Sequence, residues 1–419
     1  MFHSMQNKPF SRMRRVSAAV LLCLLPHPFA ILGSFLPIRP ILSAESPKFH
    51  PDDEPTREGL ERFYNSDYDA AIQDLEKALK AHPDDPFAAN HLLEAVLVRE
   101  IDREGALDAE LYLGTEFLHA KRMSVDAEVR TRIQELAKQA LQLSSERLRT
   151  KPDDVDALYA RGVTRSLSAI YEGLIEKAWY SAFRDALGAY DDHKRVLELA
   201  PSYNDAKVVV GVYSYIVAAL PIYERVVAFM LNIKGGKAEG IESIREAASS
   251  GGEASVDAKT ALSLFLAREH QYPEALSVML GLYRSYPHNF HYGLSEADLF
   301  RSSGKLTEAV VAYRDLLAQG QRNMTPQPLL ARASINLGQV LHSQGNYRAA
   351  ANEFESVIQM PGAEREQLAR TKLLAGEMYD LLHDRDAAAR KYHEVIAMSD
   401  NPIEGREARR LLKDPYHDP

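Results

Sequence analysis

Residues 331–361 read ARASINLGQVLHSQGNYRAAANEFESVIQMP. Two apolar helical stretches flank a Gly-Asn pair at 345–346, and Pro361 closes the second. In that second stretch Ala350, Phe354 and Val357 stand four and then three residues apart, on one helical face. A small residue followed one turn later by a bulky one suits a close helix crossing. The alanine lets two backbones approach, and the ring fills the space beside it. Gly or Asn at the junction suits a tight helix-to-helix turn.

The pattern recurs on both sides. Ala275, Met279 and Leu282 carry it, as do Ala309, Tyr313 and Leu316, and Ala388, Tyr392 and Val395. Turns at Gln271-Tyr272 and Gly304-Lys305-Leu306 precede two of these sets, and Ala258–Arg268 supplies an upstream apolar helix. Successive alanines lie 34, 41 and 38 residues apart, with loops at Gln319–Gln327 and Gly362–Glu366 accounting for the longer steps. Ile335-Asn-Leu-Gly338, Gly345-Asn-Tyr347, Ala350, Phe354 and Pro361 resemble the tetratricopeptide repeat (TPR) family, whose period is about 34 residues. Ala375-Gly376, Tyr379, Ala388 and Tyr392 resemble it again, and so do Gly59, Phe63, Tyr68, Ala71, Leu75, Ala78 and Pro83 near the start. The resemblance implies an all-α fold: a right-handed superhelical TPR solenoid of antiparallel helix pairs with an irregular, extended middle section.

That middle section opens with the TPR-like Ala157-Leu-Tyr-Ala-Arg-Gly162 and closes at Pro201. Gly162 to Pro201 spans 39 residues against 24 for Gly59 to Pro83, so 15 extra residues are expected within Leu167–Ala186. Ala206–Leu220 reads as a very apolar buried helix, too short to cross a bilayer. Through Gly235-Gly236-Lys237-x-x-Gly240-Ile241 the section also resembles a TPR subfamily linked in eukaryotes to inclusion clearance and organelle membranes. Alternating charge through Lys121–Arg149 predicts a long, partly exposed helix pair, and Ile403–Lys413 reads as a capping helix. The expected divisions are 1–44 (export signal or anchor), 45–100 (N-terminal TPR unit) and 101–156 (irregular helical pair). They continue as 157–250 (extended aromatic-rich section), 251–401 (C-terminal array) and 402–419 (cap and tail).

Residues 1–44 hold no acidic residue and five of the 50 basic ones, so without them the net charge moves from −9 to −14. Such an acidic chain has no general attraction to phosphate backbones, and no nucleic-acid partner is expected. Lys8, Arg12, Arg14 and Arg15 precede the apolar run Val16–Leu25, the layout of an export signal. Pro26, Pro28, Pro37 and Pro40 disfavour one smooth membrane helix through Leu42. Cleavage after Ala44, or earlier near Ala30, would deliver the chain to the periplasm, the envelope or the outside. The competing readings are an uncleaved anchor, which would hold the chain near a membrane, and a mitochondrial transit peptide. Cys23, the only cysteine, lies inside this segment, so a processed chain has no disulfide, thiolate metal site or cysteine nucleophile.

Nothing in the remaining sequence marks an active site, and neither catalysis nor a cofactor or metal is expected. His393-Glu394 lacks the second histidine of a zinc-protease helix, and His288 and His291 lack further ligands. Gly235-Gly236-Lys237 has the wrong spacing for a phosphate loop. Asp84-Asp85 and Asp153-Asp154, each after a proline, read as helix N-termini.

In TPR proteins the first helix of each pair lines the concave groove. Carried onto this chain, the resemblance places Arg268, His291, Asp298, Arg301, Arg332, Gln339, His342, Arg370, Glu377 and Asp380 there as an exposed polar stripe. Such a stripe suits a protein surface or an extended peptide. Ile335 occupies a place that the carboxylate-gripping TPR pattern needs for a polar residue, which argues against that specialised mode. The second candidate is an aromatic pocket around Trp179 with Tyr159, Arg161, Arg165, Tyr171 and Tyr213, since binding surfaces favour Tyr, Trp and Arg. The alternative for those rings is a packed helix junction.

Overall fold

Asp and Asn side chains cap the starts of several helices. Asp53 accepts from the backbone N–H of Thr56 at 2.8 Å, Asp85 from Phe87 at 2.9 Å and Asp154 from Ala157 at 3.1 Å. Asn289 and Asp384 do the same for Tyr292 and Ala387. Each satisfies a donor that the first helical turn leaves unpaired. Asp85 and Asp154 thus have the N-terminal role read from their place after proline.

A computed structural model describes residues 49–107, 123–219, 235–323, 325–361, 365–398 and 402–418. The proposed export segment, 1–44, lies outside them. The described residues form seventeen α-helices and no strand. They are α1 Glu54–Tyr64, α2 Tyr68–Ala81, α3 Pro86–Arg103, α4 Ala127–Thr150, α5 Val155–Ile170 and α6 Trp179–Leu199. There follow α7 Ala206–Ala219, α8 Lys237–Ala248, α9 Ser255–Arg268, α10 Tyr272–Ser285, α11 Phe290–Ser302 and α12 Leu306–Arg322. The last are α13 Gln327–Ser343, α14 Tyr347–Ile358, α15 Arg365–Leu381, α16 Arg385–Ala397 and α17 Pro402–Lys413. The chain divides into two compact units, up to Val278 and from Met279, the division falling inside α10.

In the second unit α11 pairs with α12, α13 with α14 and α15 with α16, and α17 covers the last pair. Three hairpin turns around these helices use one device. Gly304, Gly345 and His383 take φ of 75°, 72° and 58°. The next residue's N–H then reaches back to a carbonyl of the first helix: Lys305 to Phe300, Asn346 to Leu341, Asp384 to Tyr379, each at 2.9 Å. This is a Schellman closure, and glycine fits its left-handed position without strain.

The small-then-bulky stripes are buried as their spacing requires. Ala309, Tyr313, Ala350, Ala388 and Tyr392 are fully buried and Phe354 is 1% exposed. The space for each ring comes from the preceding helix. A Cβ on Gly338 would lie 2.5 Å from the Phe354 ring, and one on Gly376 equally close to Tyr392, the ring standing sixteen residues downstream each time.

The first unit obeys the same rule at its start, where Gly59 receives Leu75. Its pairs are α1 with α2, α3 with α4, α5 with α6, and α7 with α8, and α9 packs on α8. The extra length of the third pair enters where the sequence spacing puts it. After α5 a single π turn spans Tyr171–Ile175, closed by the Glu176 N–H on the Tyr171 carbonyl at 3.1 Å, and Lys177 takes a φ of 54° before α6. Gly162 therefore meets His193, fifteen residues beyond the regular partner position. The expected pair in 101–156 contains one long described helix, α4; residues 108–122 lie outside the described set.

Candidate functional site

The first helices of the second unit, α11, α13 and α15, share a register fixed by the small residues Ala297, Gly338 and Gly376. Counted from these, nine polar positions fall into three rows. His291, Arg332 and Arg370 stand six residues before; Asp298, Gln339 and Glu377 stand one after; Arg301, His342 and Asp380 stand four after. A basic row thus runs beside a mostly acidic row and a mixed one. Most of these side chains are half-buried, Arg370 is exposed, and Asp380 is buried.

The buried position of Asp380 departs from the exposed stripe read from the sequence. Its carboxylate accepts from Arg385 Nη1 at 2.8 Å, from the Tyr392 hydroxyl at 2.8 Å and from the backbone N–H of Tyr416 at 2.9 Å. Asp298 is tied similarly, accepting from the Tyr313 hydroxyl and from Asn336 Nδ2, with Arg301 at 3.5 Å. Burial pushes Glu377 up to about 7, with the Glu407 charge adding to the rise. Burial lowers Arg332 to about 10. Both shifts mark a face partly withdrawn from water.

The tail beyond α17 lies on this face. His342 Nε2 is 2.7 Å from Asp418 Oδ1, and the Tyr347 hydroxyl donates to Asp418 Oδ2 at 2.7 Å. The Tyr416 ring packs 6.3 Å from the His342 ring. The sequence reading takes 402–419 as capping helix and tail; Pro415 signals a turn there, not a destination.

Arg268 belongs to the first unit, where its guanidinium lies 5.7 Å from the Tyr215 ring centre. That unit gathers carboxyl groups that no sequence pattern marked. The Tyr64 hydroxyl of α1 donates to Asp257 of α9 at 3.1 Å, across 193 residues. Glu253 accepts from the His50 backbone N–H at 3.0 Å and lies 3.2 Å from His91 Nε2. Asp205 accepts from the N–H groups of Glu253 and Ala254, and a side chain at Gly252 would strike its carboxylate. Burial pushes Glu94, Asp257, Glu253 and Asp205 all upward, and the Asp257 charge raises Glu94 further. Burial holds His91 neutral, down to about 4. A cavity of about 430 Å³ opens beside this cluster, lined by Phe49, His50, Phe87, Asp156, Tyr203, Asp205 and Ser250–Glu253. Among the described residues no group of three His, Cys, Asp or Glu side chains is arranged to hold a metal ion.

The aromatic set around Trp179 is distributed over separate neighbourhoods. Tyr159 is buried against Phe87, His193 and Tyr203. Tyr171 donates to Glu176 and accepts from Gln134. Tyr213 stacks on Tyr190 at 3.8 Å, and Trp179 lies beneath Lys177. Arg161 and Arg165 both grip the buried Asp192, bracing α5 against α6.

Helix hairpins joined by Schellman turns, with a small residue at the register position sixteen before each bulky one, define a class of helical-repeat proteins. Two segments of the chain, residues 56–121 and 294–364, match the tetratricopeptide repeat family model. No curated protein matches the sequence. Solved structures it is similar to include PilF of Pseudomonas aeruginosa, at 18% identity and TM-score 0.38, covering 62% of this chain and 99% of that one. PilW, a type IV pilus biogenesis factor, gives 16% identity and TM-score 0.40 over 59% and 98% of the two chains. Yeast Tom70 gives 13% and 0.35 over 86% and 87%. At such scores these likenesses carry no argument about partner or compartment. Among the described residues no helix is long and apolar enough to cross a membrane.

Proposed function

We propose that this protein is a non-catalytic interaction scaffold whose second unit receives a protein surface or an extended peptide across α11, α13 and α15. The observation that carries this is the alignment of nine polar side chains into three rows on successive first helices. A regular spacing of charge and hydrogen-bonding groups matches the repeat of an extended backbone better than it matches a compact small molecule. The basic, acid-free segment ahead of an apolar run supports export to the cell envelope as the setting.

Peptides selected from a random library against the full chain test the surface. Gln339→Arg and Arg370→Glu should each weaken the selected peptides about tenfold, while Val311→Ser on α12 should change binding less than about twofold. The opposite ranking would move the binding face to the second helices. N-terminal sequencing of the native protein tests the setting: a start beyond Ala30 in an envelope or secreted fraction supports export, and an intact Met1 in a purely cytosolic fraction contradicts it.

A further inference from the structure

We propose that the chain's own C-terminal tail, Asp414–Asp418, is a built-in occupant of the second unit's binding face. A partner segment with the same chemistry, an aromatic residue followed two positions later by a carboxylate, would displace it. The inference rests on the peptide-binding reading given above and deepens it by naming what the face accepts.

Two parts of the C-terminus are held very differently. Helix α17 is fixed: Ala408 and Leu411 are fully buried against Tyr392 and Val395, and Arg385 Nη2 donates to the Leu411 and Leu412 carbonyls, each at 2.7 Å. Beyond Lys413 the anchoring changes character. Asp414, His417 and Asp418 are exposed, and Tyr416 is half-buried. The chain turns back through Asp414-Pro415 and meets the first helices by side chains of the third row. The Tyr416 N–H binds Asp380 of α15, and Asp418 reaches His342 of α13 and Tyr347 at the start of α14.

That is how a peptide ligand would sit. Its backbone donates to the acid of one repeat, its ring rests near an imidazole, and its carboxylate is taken by a histidine and a tyrosine of the neighbouring repeat. The His342–Asp418 contact is partly exposed on both sides, at 27% and 38%, so water and salt screen it. A screened contact of this kind holds because the tail is tethered. A short tether keeps its local concentration near millimolar, which blocks weak ligands and yields to stronger ones. The tail therefore sets a threshold: the apparent affinity of a partner is lowered by the fraction of chains whose face is covered.

The test uses the full chain and a fluorescent hexapeptide of sequence Asp-Pro-Tyr-His-Asp-Pro. The double variant Tyr416→Ala, Asp418→Ala removes the tail's ring and its carboxylate from the face, and circular dichroism checks that its helix content is unchanged. The peptide should bind this variant about tenfold more tightly than it binds the unmodified chain, by fluorescence anisotropy. Adding His342→Ala to the double variant should remove most of the gain. Equal affinity for the two tails would overturn the built-in occupant while leaving the peptide-binding face intact. No binding to either form, with library-selected peptides still sensitive to Gln339→Arg, would overturn the proposed ligand chemistry alone. Loss of both signals would overturn the binding face as well.

Discussion

The two units build their inner faces from the same kind of helix and arrive at different surfaces. In the second unit the register repeats, so like positions align and His291, Arg332 and Arg370 form one row beside the row of Asp298, Gln339 and Glu377. In the first unit the register is broken by fifteen extra residues between Gly162 and His193, about half of them before α6 and the rest within it. Its carboxyls come together from α3, α9 and the loops before α8's neighbours: Glu94, Asp257, Asp205 and Glu253, with Tyr64 of α1 reaching Asp257. Regular spacing yields a surface whose polar positions repeat from one hairpin to the next. Broken spacing yields a local cluster whose charges repel one another and are pushed toward neutrality.

Packing substitutions bear hardest on this contrast. Phe354→Ala should cost about 3–5 kcal/mol in urea unfolding, and Leu75→Ala in the first unit about 2–5 kcal/mol, because both bulky side chains fill the space left by a glycine. An unchanged midpoint for either would show that the shared glycine rule does not govern that unit. Asp380→Ala should cost about 2–3 kcal/mol, since it strips a buried partner from Arg385 and the Tyr392 hydroxyl, and Asp380→Asn should recover part of this.

The acid clusters separate by pH. A carboxyl whose pKa is raised in the folded chain binds more protons there than in the unfolded chain, so stability falls as pH rises from the ordinary carboxylate range through the raised value. For Glu377 that window runs from 4.5 to about 7. In the first unit Glu94, Asp257 and Glu253 all shift the same way. Glu94→Gln should raise the thermal midpoint by about 2–4 °C at pH 8 and leave it nearly unchanged at pH 5. A gain of equal size at both pH values would mean that charge burial is not the cause. The smallest effects lie in the turns. His383→Gly should stabilise by up to about 1 kcal/mol by relieving the left-handed backbone, and Gly345→Ala should cost about the same.

Much of the fold was legible because its signals are local. Ala350, Phe354 and Val357 declare a buried face within two turns of helix, and the count from Gly162 to Pro201 located the extra residues near the π turn. The partner of Gly162 was not legible, because the extra residues are shared between the turn after α5 and α6 itself, and together they bring His193 to the regular position. The stripe on α11, α13 and α15 could be read as positions, but the burial of Asp380 depends on the tail and on Arg385 together, and Arg268 fell in the other unit. The carboxyl cluster was invisible for a related reason: Tyr64 and Asp257 meet only through the arrangement of several intervening hairpins.

Hydrogen exchange of the full chain, with and without a saturating library-selected peptide, tests the central claim most directly. Slowed exchange confined to α11, α13 and α15, with α12, α14 and α16 unchanged, is the predicted result. Protection centred on α12, α14 and α16, with the first helices unaffected, would contradict it.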